Sequence, residues 1–503
     1  MAMVSYSQLL NMDTAKLTGA AEAAGGLSST LSTRAGEVQS AADIPGGMWT
    51  GIDSSAASSL IGAQPSPLYD ASDAFRRGRA ALEDLVTGVE AAKDRLGDAQ
   101  DLVGGTGITI GGDGTVTTPV VDNPTTAANN DRIAQQARQI IDAALKMAEE
   151  ADQTATAAVQ AVGMDVSESA IPDGKGDTPQ EVKEWWDSLS DTEKQAFIAQ
   201  HPEQIGNLDG IPAEARHQAN MNHLASEIAS GDAENGSQQL LDRIQNSWKG
   251  PESDRIYLLG FDPNGDSDAK VIAAIGNPDT ADRTAVFVPG TGNDISKMGG
   301  NLDSMNRLQD ATGGNTSAIV WLGYDAPDHI PAAVLDGYAK DGAPDLREFT
   351  RGLDATNSPT GTTTVIGHSY GSTVVGTADA LGKQGSNDGL VARDIIAVGS
   401  PGMGYESPDR QGFIDSPRVD NTSDMHMDSD HIWAGAASND VVTYTEVHGN
   451  APHDWSFGGE RFTTDGSSGH SEYFEQGGAS LRNMAHIVNG EYDEVDHVGR
   501  RPG

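Results

Sequence analysis

The sequence predicts two architectures in one chain: an all-α amino-terminal half that begins with a helical hairpin, and a carboxyl-terminal α/β domain whose mostly parallel sheet is flanked by helices. Three observations predict this. Apolar residues recur every seven positions over residues 4–103; from Asp254 onward short apolar runs alternate with Gly-containing turns and helical segments; and one such run, 362–366, leads through a Gly-rich bend directly into a helix. At 503 residues the chain is long enough for two to four domains, and the composition shifts divide it at 1–104, 105–178, 179–250 and 251–503.

The seven-residue seam runs through Leu10, Leu17, Ala24, Leu31 and Val38, then through Leu68, Phe75, Leu82, Val89, Leu96 and Val103. Two stripes with this period can zip together along shared apolar faces, and Ile44-Pro45-Gly46-Gly47-Met48-Trp49-Thr50-Gly51 between them breaks helix. Residues 108–117 read as a small β-hairpin, 131–162 as a long Ala-rich helix, and 118–130 and 172–178 as linkers. Further helices follow over 179–249. One opens at Pro179 and carries Trp185 and Trp186 as core anchors; the next starts with a capping box, Ser190 as N-cap and Glu193 three residues on.

The α/β part predicts strands at 255–259, 270–275, 284–288, 317–322, 362–366, 394–398 and 431–434, with helices at 302–312, 346–354 and 373–381. Strands that alternate with helices build a parallel sheet covered on both faces.

Charge and composition exclude several classes. Lys plus Arg number 32 against 74 Asp plus Glu, a net −42, which repels nucleic-acid backbones and anionic headgroups. There is no cysteine, hence no disulfide, thiolate metal site or Cys nucleophile. No apolar run approaches the roughly 20 residues of a membrane span. The first residues lack a signal-peptide pattern, so the protein is expected to be cytoplasmic or exported without a cleavable leader. Tyr-x-x-x-Asp/Glu occurs four times, where roughly 1.5 matches are expected by chance, and carries no assignment.

Chemistry concentrates at Gly367-His368-Ser369-Tyr370-Gly371, between the strand at 362–366 and a helix. Strand, Gly-x-Ser-x-Gly, helix is the pattern of a nucleophile elbow, whose small residues let a strained turn lift the Ser hydroxyl into a cleft. A serine hydroxyl needs an imidazole to take its proton and a carboxylate to orient that imidazole. Asp440 fits the acid, since it follows the strand at 431–434 at the sheet's carboxyl edge, whereas Asp428 and Asp430 precede that strand. His470, in the flexible loop Gly466-Ser467-Ser468-Gly469-His470, is the expected base; His448 and His453 also follow Asp440 and stay as alternatives. The oxyanion requires two backbone N–H groups, expected from Tyr370 and from Thr291 in Pro289-Gly290-Thr291-Gly292-Asn293. Trp321, Tyr324 and Met403, near strand ends, are candidates for an acyl pocket.

Two other motifs are decoys. Asp262-Pro263-Asn264-Gly265-Asp266 lacks the Gly and Glu that a calcium loop requires and reads as a hairpin turn. Gly290-Thr291-Gly292 lacks the partners of a phosphate loop. The three late histidines match no metal-site spacing, so neither metal nor cofactor is expected.

Two resemblances follow. The seven-spaced helices with Trp49-Thr50-Gly51 between them resemble the WXG-type hairpins associated with type VII secretion, which implies a helical-hairpin or secretion-machinery partner. Val288-Pro289-Gly290-Thr291-Gly292, Gly367-His368-Ser369-Tyr370-Gly371-Ser372, Val398-Gly399-Ser400-Pro401-Gly402-Met403 and Gly469-His470-Ser471-Glu472-Tyr473-Phe474 together resemble an actinobacterial α/β-hydrolase family. This resemblance covers about residues 250–490. It implies a serine hydrolase fold with Ser369, Asp440 and His470 as triad, acting on an ester or acyl substrate of undefined identity. A non-catalytic, secretion-associated protein whose helical half binds a partner is the rival expectation.

Overall fold

The structure is a computed structural model that describes residues 5–42, 65–161, 164, 166–174, 176–231, 233–264, 268–335, 337–385, 389–404 and 418–498. Trp49-Thr50-Gly51 and, in the Asp262–Asp266 turn, Gly265 and Asp266 lie outside the described residues. The chain forms two compact units, one comprising Met1–Ser167 with Leu189–Gln200, the other Glu168–Ser188 with His201–Gly503.

The first unit contains a short helix α1 (Tyr6–Leu10), long helices α2 (Ala15–Ala42), α3 (Pro65–Val103) and α4 (Pro124–Ala161), and a two-stranded antiparallel hairpin, β1 (Thr109–Ile110) with β2 (Val116–Thr117). Helix α3 packs against both α2 and α4. Its buried residues Val89, Ala92, Leu96, Ala99 and Val103 advance by three and four, as do Ala134, Ala137, Ile141, Ala144 and Ala148 on α4. These spacings place each set on one helix face. The small residues bring the backbones close, since a Cβ on Gly88 would stand 2.6 Å from that of Ala151.

The seam therefore differs from a simple two-helix zip. Leu10 and Phe75 are exposed, and α2 buries Ala21 and Ala35 instead of Leu17 and Leu31, because α3 divides its apolar surface between two neighbours. Helix α6 (Asp191–Gln200) completes this unit against α4. Its capping box is present: the Ser190 N–H donates to Glu193 Oε2 (2.8 Å) and the Glu193 N–H to Ser190 Oγ (3.3 Å).

The second unit opens with helices α5 (Pro179–Ser188), α7 (Pro202–Ile205), α8 (Ala213–Ser230) and α9 (Ser237–Ser247), with Trp186 buried. An eight-stranded sheet follows. In chain order its strands are β3 (Ile256–Asp262), β4 (Lys270–Ile275), β5 (Arg283–Val288), β6 (Thr316–Leu322), β7 (Thr362–His368), β8 (Asp394–Val398), β9 (Ile432–Gly435) and β10 (Glu460–Arg461). Their spatial order is β10-β9-β8-β7-β5-β6-β4-β3. β3 and β4 pair antiparallel, as does β4 with β6, and every other pair is parallel.

Helices α10 (Met298–Thr312), α11 (Gly337–Thr356), α12 (Tyr370–Gly385) and α13 (Ala479–Asn489) cover the sheet, α11 packing on α12 and α10 on α13. Right-handed crossovers explain the pairing. The chain moves from β5 outward to β6, then back past β5 to β7 and on to β8, so the β5–β6 crossover helix takes one face and the next two crossover helices the other. The reversal makes the boundary of β5 and β7 a topological switch point, where the crevice at the strands' carboxyl ends is a natural ligand site. Strands β5 to β8 are buried almost throughout, which explains why they read as continuous apolar runs. No described helix is long and apolar enough to cross a membrane.

Candidate active site

Ser369 occupies the bend between β7 and α12 with φ +55°, a left-handed conformation that costs a non-glycine residue about 1–2 kcal/mol. The surroundings explain how the bend is held. A Cβ on Gly367 would run into Ser372 Cα and one on Gly371 into the Val288 carbonyl oxygen, so only glycine fits on either side of His368-Ser369-Tyr370. The Ser369 N–H donates to the Val398 carbonyl (3.1 Å), and Ser372 Oγ donates to the Ser369 carbonyl (2.6 Å) while lying 2.7 Å from Ser400 Oγ. The elbow is thus bolted to the loop after β8.

Asp440 and His470 meet. His470 Nδ1–H donates to the Asp440 carboxylate at 2.9 Å to Oδ2 and 3.0 Å to Oδ1. Asp440 is buried and caps a short turn, Val441–Tyr444, by accepting from the Val442 N–H (3.0 Å). Their two loops are stitched together next door: the Gly469 N–H donates to Asn439 Oδ1, and Asn439 Nδ2 donates to Ser468 Oγ, both at 2.8 Å. Burial pushes the Asp440 carboxyl up, but donors from His470, Tyr473 and Val442 outweigh it and hold the group below the usual carboxylate range.

Sequence reasoning missed two side chains here. Tyr473 is buried, donates its hydroxyl to Asp440 Oδ2 (2.7 Å) and accepts from the Ala437 N–H (3.0 Å). His368, the residue before Ser369, donates Nε2–H to the His470 carbonyl at 2.6 Å, and the two imidazole rings lie 4.7 Å apart. This contact brings His470 to the strand end that carries the serine. Burial, aided by the neighbouring His470, pushes the His368 imidazole down to about 4, so it stays neutral. Both residues stand inside the quoted motifs; partners more than a hundred residues away, as for His368, leave no trace in local spacing.

The loop after β5 lies against the elbow. A Cβ on Gly290 would stand 2.8 Å from Ser369 Cβ and 2.9 Å from the Tyr370 nitrogen, which puts Pro289-Gly290-Thr291 beside the amide of the residue that follows the serine. Asn293 Nδ2 steadies this loop by donating to the Gly290 carbonyl (2.8 Å). Tyr324 is buried and donates to the Pro289 carbonyl (2.7 Å), with its ring stacked on Trp321 at 6.0 Å. Tyr324 therefore braces the loop from behind. Trp321 lines a cavity of ≈ 610 Å³ toward β3 and β4, and Met403 is buried against Gly376 of α12. Of the other late histidines, His448 donates Nε2–H to the Ala333 carbonyl (2.6 Å), and the His453 ring lies edge-on to Tyr444. No group of three His, Asp or Glu suited to a metal ion occurs among the described residues.

Residues 262–449 match the model of a family described as "Alpha/beta hydrolase". The fold is that of an α/β hydrolase. Two uncharacterised proteins from strains of Mycobacterium tuberculosis are 30% identical to this chain over 394 residues, which cover 63% of it and 57% of each relative. An uncharacterised protein of Mycobacterium bovis is 29% identical over 204 residues, 37% of this chain and 69% of the relative. The chain thus spans just over half the length of the first of these relatives, and all are mycobacterial, in accord with the actinobacterial resemblance drawn from the motifs. Among solved structures, an esterase from Pyrobaculum calidifontis superposes with a TM-score of 0.30 at 13% identity, over 54% of this chain and 98% of that one. So distant a likeness says nothing about substrate.

Proposed function

We propose that the hydrolase domain is a serine hydrolase that cleaves carboxylic esters. Ser369 Oγ attacks the ester carbonyl while His470 Nε2 takes its proton. Asp440 fixes His470 with Nδ1 protonated and Nε2 free, and stabilises the imidazolium that forms. The N–H groups of Tyr370 and Thr291 hold the oxyanion of the tetrahedral intermediate, each worth about 3 kcal/mol of transition-state stabilisation. Collapse expels the alcohol, which takes its proton from His470 and leaves an acyl group on Ser369. Water, deprotonated by His470, then attacks the acyl carbonyl, releases the carboxylic acid and restores the serine.

The observation that carries this reading is the convergence of a serine held at positive φ with an Asp–His pair whose acid is buried and whose imidazole rests on the serine's own neighbour. A neutral His368 suits this chemistry, because a charged one would oppose the imidazolium at His470. Tyr473 keeps Asp440 ionised and prevents its rotation. The active site is tested by labelling with a fluorophosphonate probe: the wild type is expected to label, and Ser369→Ala to abolish labelling. Persistent labelling of that variant would refute the assignment.

The helical unit favours a second role. Leu27, Tyr69 and Phe75 are exposed on α2 and α3, which supports the reading of this unit as the binding module for a helical-hairpin partner of a type VII-like export route. Stable capture of such a partner by the full chain, lost in Phe75→Glu, is the expected result.

A further inference from the structure

Exposed apolar side chains are unevenly spread over the hydrolase unit. Among its described residues eight large ones are exposed, and seven come from two loops: Ile330, Val334 and Leu335 from one, and Val441, Tyr444 and two more from the other. Both loops leave the sheet's carboxyl edge. The first follows β6, and the second begins at the residue after Asp440. They are tied to each other and to the elbow, since His448 Nε2–H donates to the Ala333 carbonyl and the Tyr370 hydroxyl donates to the Leu335 carbonyl, both at 2.6 Å. Ile330 is 78% exposed and Val441 75%. Isolated exposed aliphatics are ordinary, but clustered ones mark a surface that something covers.

We propose that this rim receives the apolar part of the ester, so that the site's preferred substrates are water-insoluble, long-chain acyl esters presented at an uncharged surface. The proposal rests on the hydrolase reading above and deepens it. Two arguments choose this occupant. The rim is continuous with the site, one loop growing out of the acid's own turn and the other hydrogen-bonded to the residue that follows the nucleophile, so an acyl chain leaving the Ser369 carbonyl position meets it first. The net charge of −42 repels anionic headgroups, which leaves neutral ester droplets as the compatible surface. Ile, Val and Leu side chains lower the free energy of a methylene chain by removing it from water, and each fully buried methylene is worth roughly four-fold in binding.

The experiment uses the full chain, a chromogenic ester series from acetate to decanoate, and tributyrin below and above its solubility limit. kcat/KM is expected to rise roughly two- to four-fold per added methylene, with a further jump in tributyrin turnover once droplets form. In the triple variant Ile330→Ser, Val334→Ser, Val441→Ser the decanoate-to-acetate ratio is expected to fall at least ten-fold; all three side chains are exposed, so folding tolerates the change, and circular dichroism verifies it. A flat chain-length profile in an enzyme that hydrolyses acetate would overturn this inference and leave the hydrolase reading intact. An unchanged ratio in the triple variant would also overturn it, as would a self-associated chain with the rim buried between copies. Failure on every ester, with no labelling of Ser369, would overturn the hydrolase reading itself.

Discussion

The sheet carries two buried aspartates at its opposite edges, each bonded to a histidine and a tyrosine. At the carboxyl edge Asp440 accepts from His470 and Tyr473. At the amino edge Asp394, the first residue of β8, accepts from His431 Nδ1–H (2.9 Å), the Tyr492 hydroxyl (2.9 Å) and Trp433 Nε1–H (3.2 Å). The difference lies in the remaining neighbours. Asp394 also takes the Arg393 guanidinium at 2.8 Å, and Arg393 in turn holds the carbonyls of Ile487 and Val488 at the end of α13. Its charge is neutralised locally and spent on joining helix to strand. Asp440 has no guanidinium on it among the bonds described, and its histidine lies against the strained serine bend. An Asp–His–Tyr cluster is therefore no functional signal by itself; what distinguishes the two is the remaining neighbour, a guanidinium at one edge and the serine bend at the other.

The sharpest way to break this comparison is to neutralise each aspartate. Asp440→Asn is expected to lower kcat by about 10³–10⁴-fold, because the amide favours the wrong tautomer of His470, with the melting temperature little changed. Asp394→Asn should do the reverse: it strands a partly buried Arg393 and costs roughly 3–5 kcal/mol of stability, seen as a lower melting temperature in calorimetry, while kcat/KM below that temperature stays within a few fold. Equal losses of activity in both variants would erase the distinction.

A smaller effect sharpens it. Tyr473→Phe removes one charge-assisted hydrogen bond, worth about 1.5–3 kcal/mol, so kcat should fall roughly 10- to 100-fold with KM nearly constant. A loss confined to KM, with kcat unmoved, would assign Tyr473 to packing alone.

The smallest expected effect concerns stability against pH. Burial holds the His217 imidazole down to about 3 and His368 to about 4. His217 also accepts from the Leu258 N–H (3.0 Å) and stacks on Trp248 at 4.8 Å. Both folded values lie below the ordinary 6.5, so the unfolded chain takes up protons first. Stability from these rings is complete above pH 6.5 and declines as pH falls toward 4. Melting temperatures between pH 7.5 and 4.5 should fall less steeply in His217→Gln than in the wild type.

Much of this was legible in the residues themselves. The seven strands from β3 to β9 follow from apolar runs bounded by Gly and Asp, because buried parallel strands leave little room for polar side chains. The elbow was legible because its glycines are required by backbone contact. Helix α11 read too short: Pro344 looks like a breaker, yet it is accommodated inside a helix that begins at Gly337. β10 was missed because two residues, Glu460 and Arg461, carry no alternation. His368 and Tyr473 were visible as letters in motifs but not as actors, since their roles depend on His470 and Asp440 arriving from other loops. The rim was invisible for the converse reason: Ile330 and Val441 read as ordinary apolar residues, and only the folded chain reveals that they stay in water.

The central claim is that acyl transfer runs through one hydroxyl. Quenching the full chain with acid during turnover of a slow acyl ester and mapping the peptides by mass should find the acyl group on Ser369, accumulating in a burst before steady release of acid. Steady turnover with the acyl mass on another residue, or on none, would contradict the account.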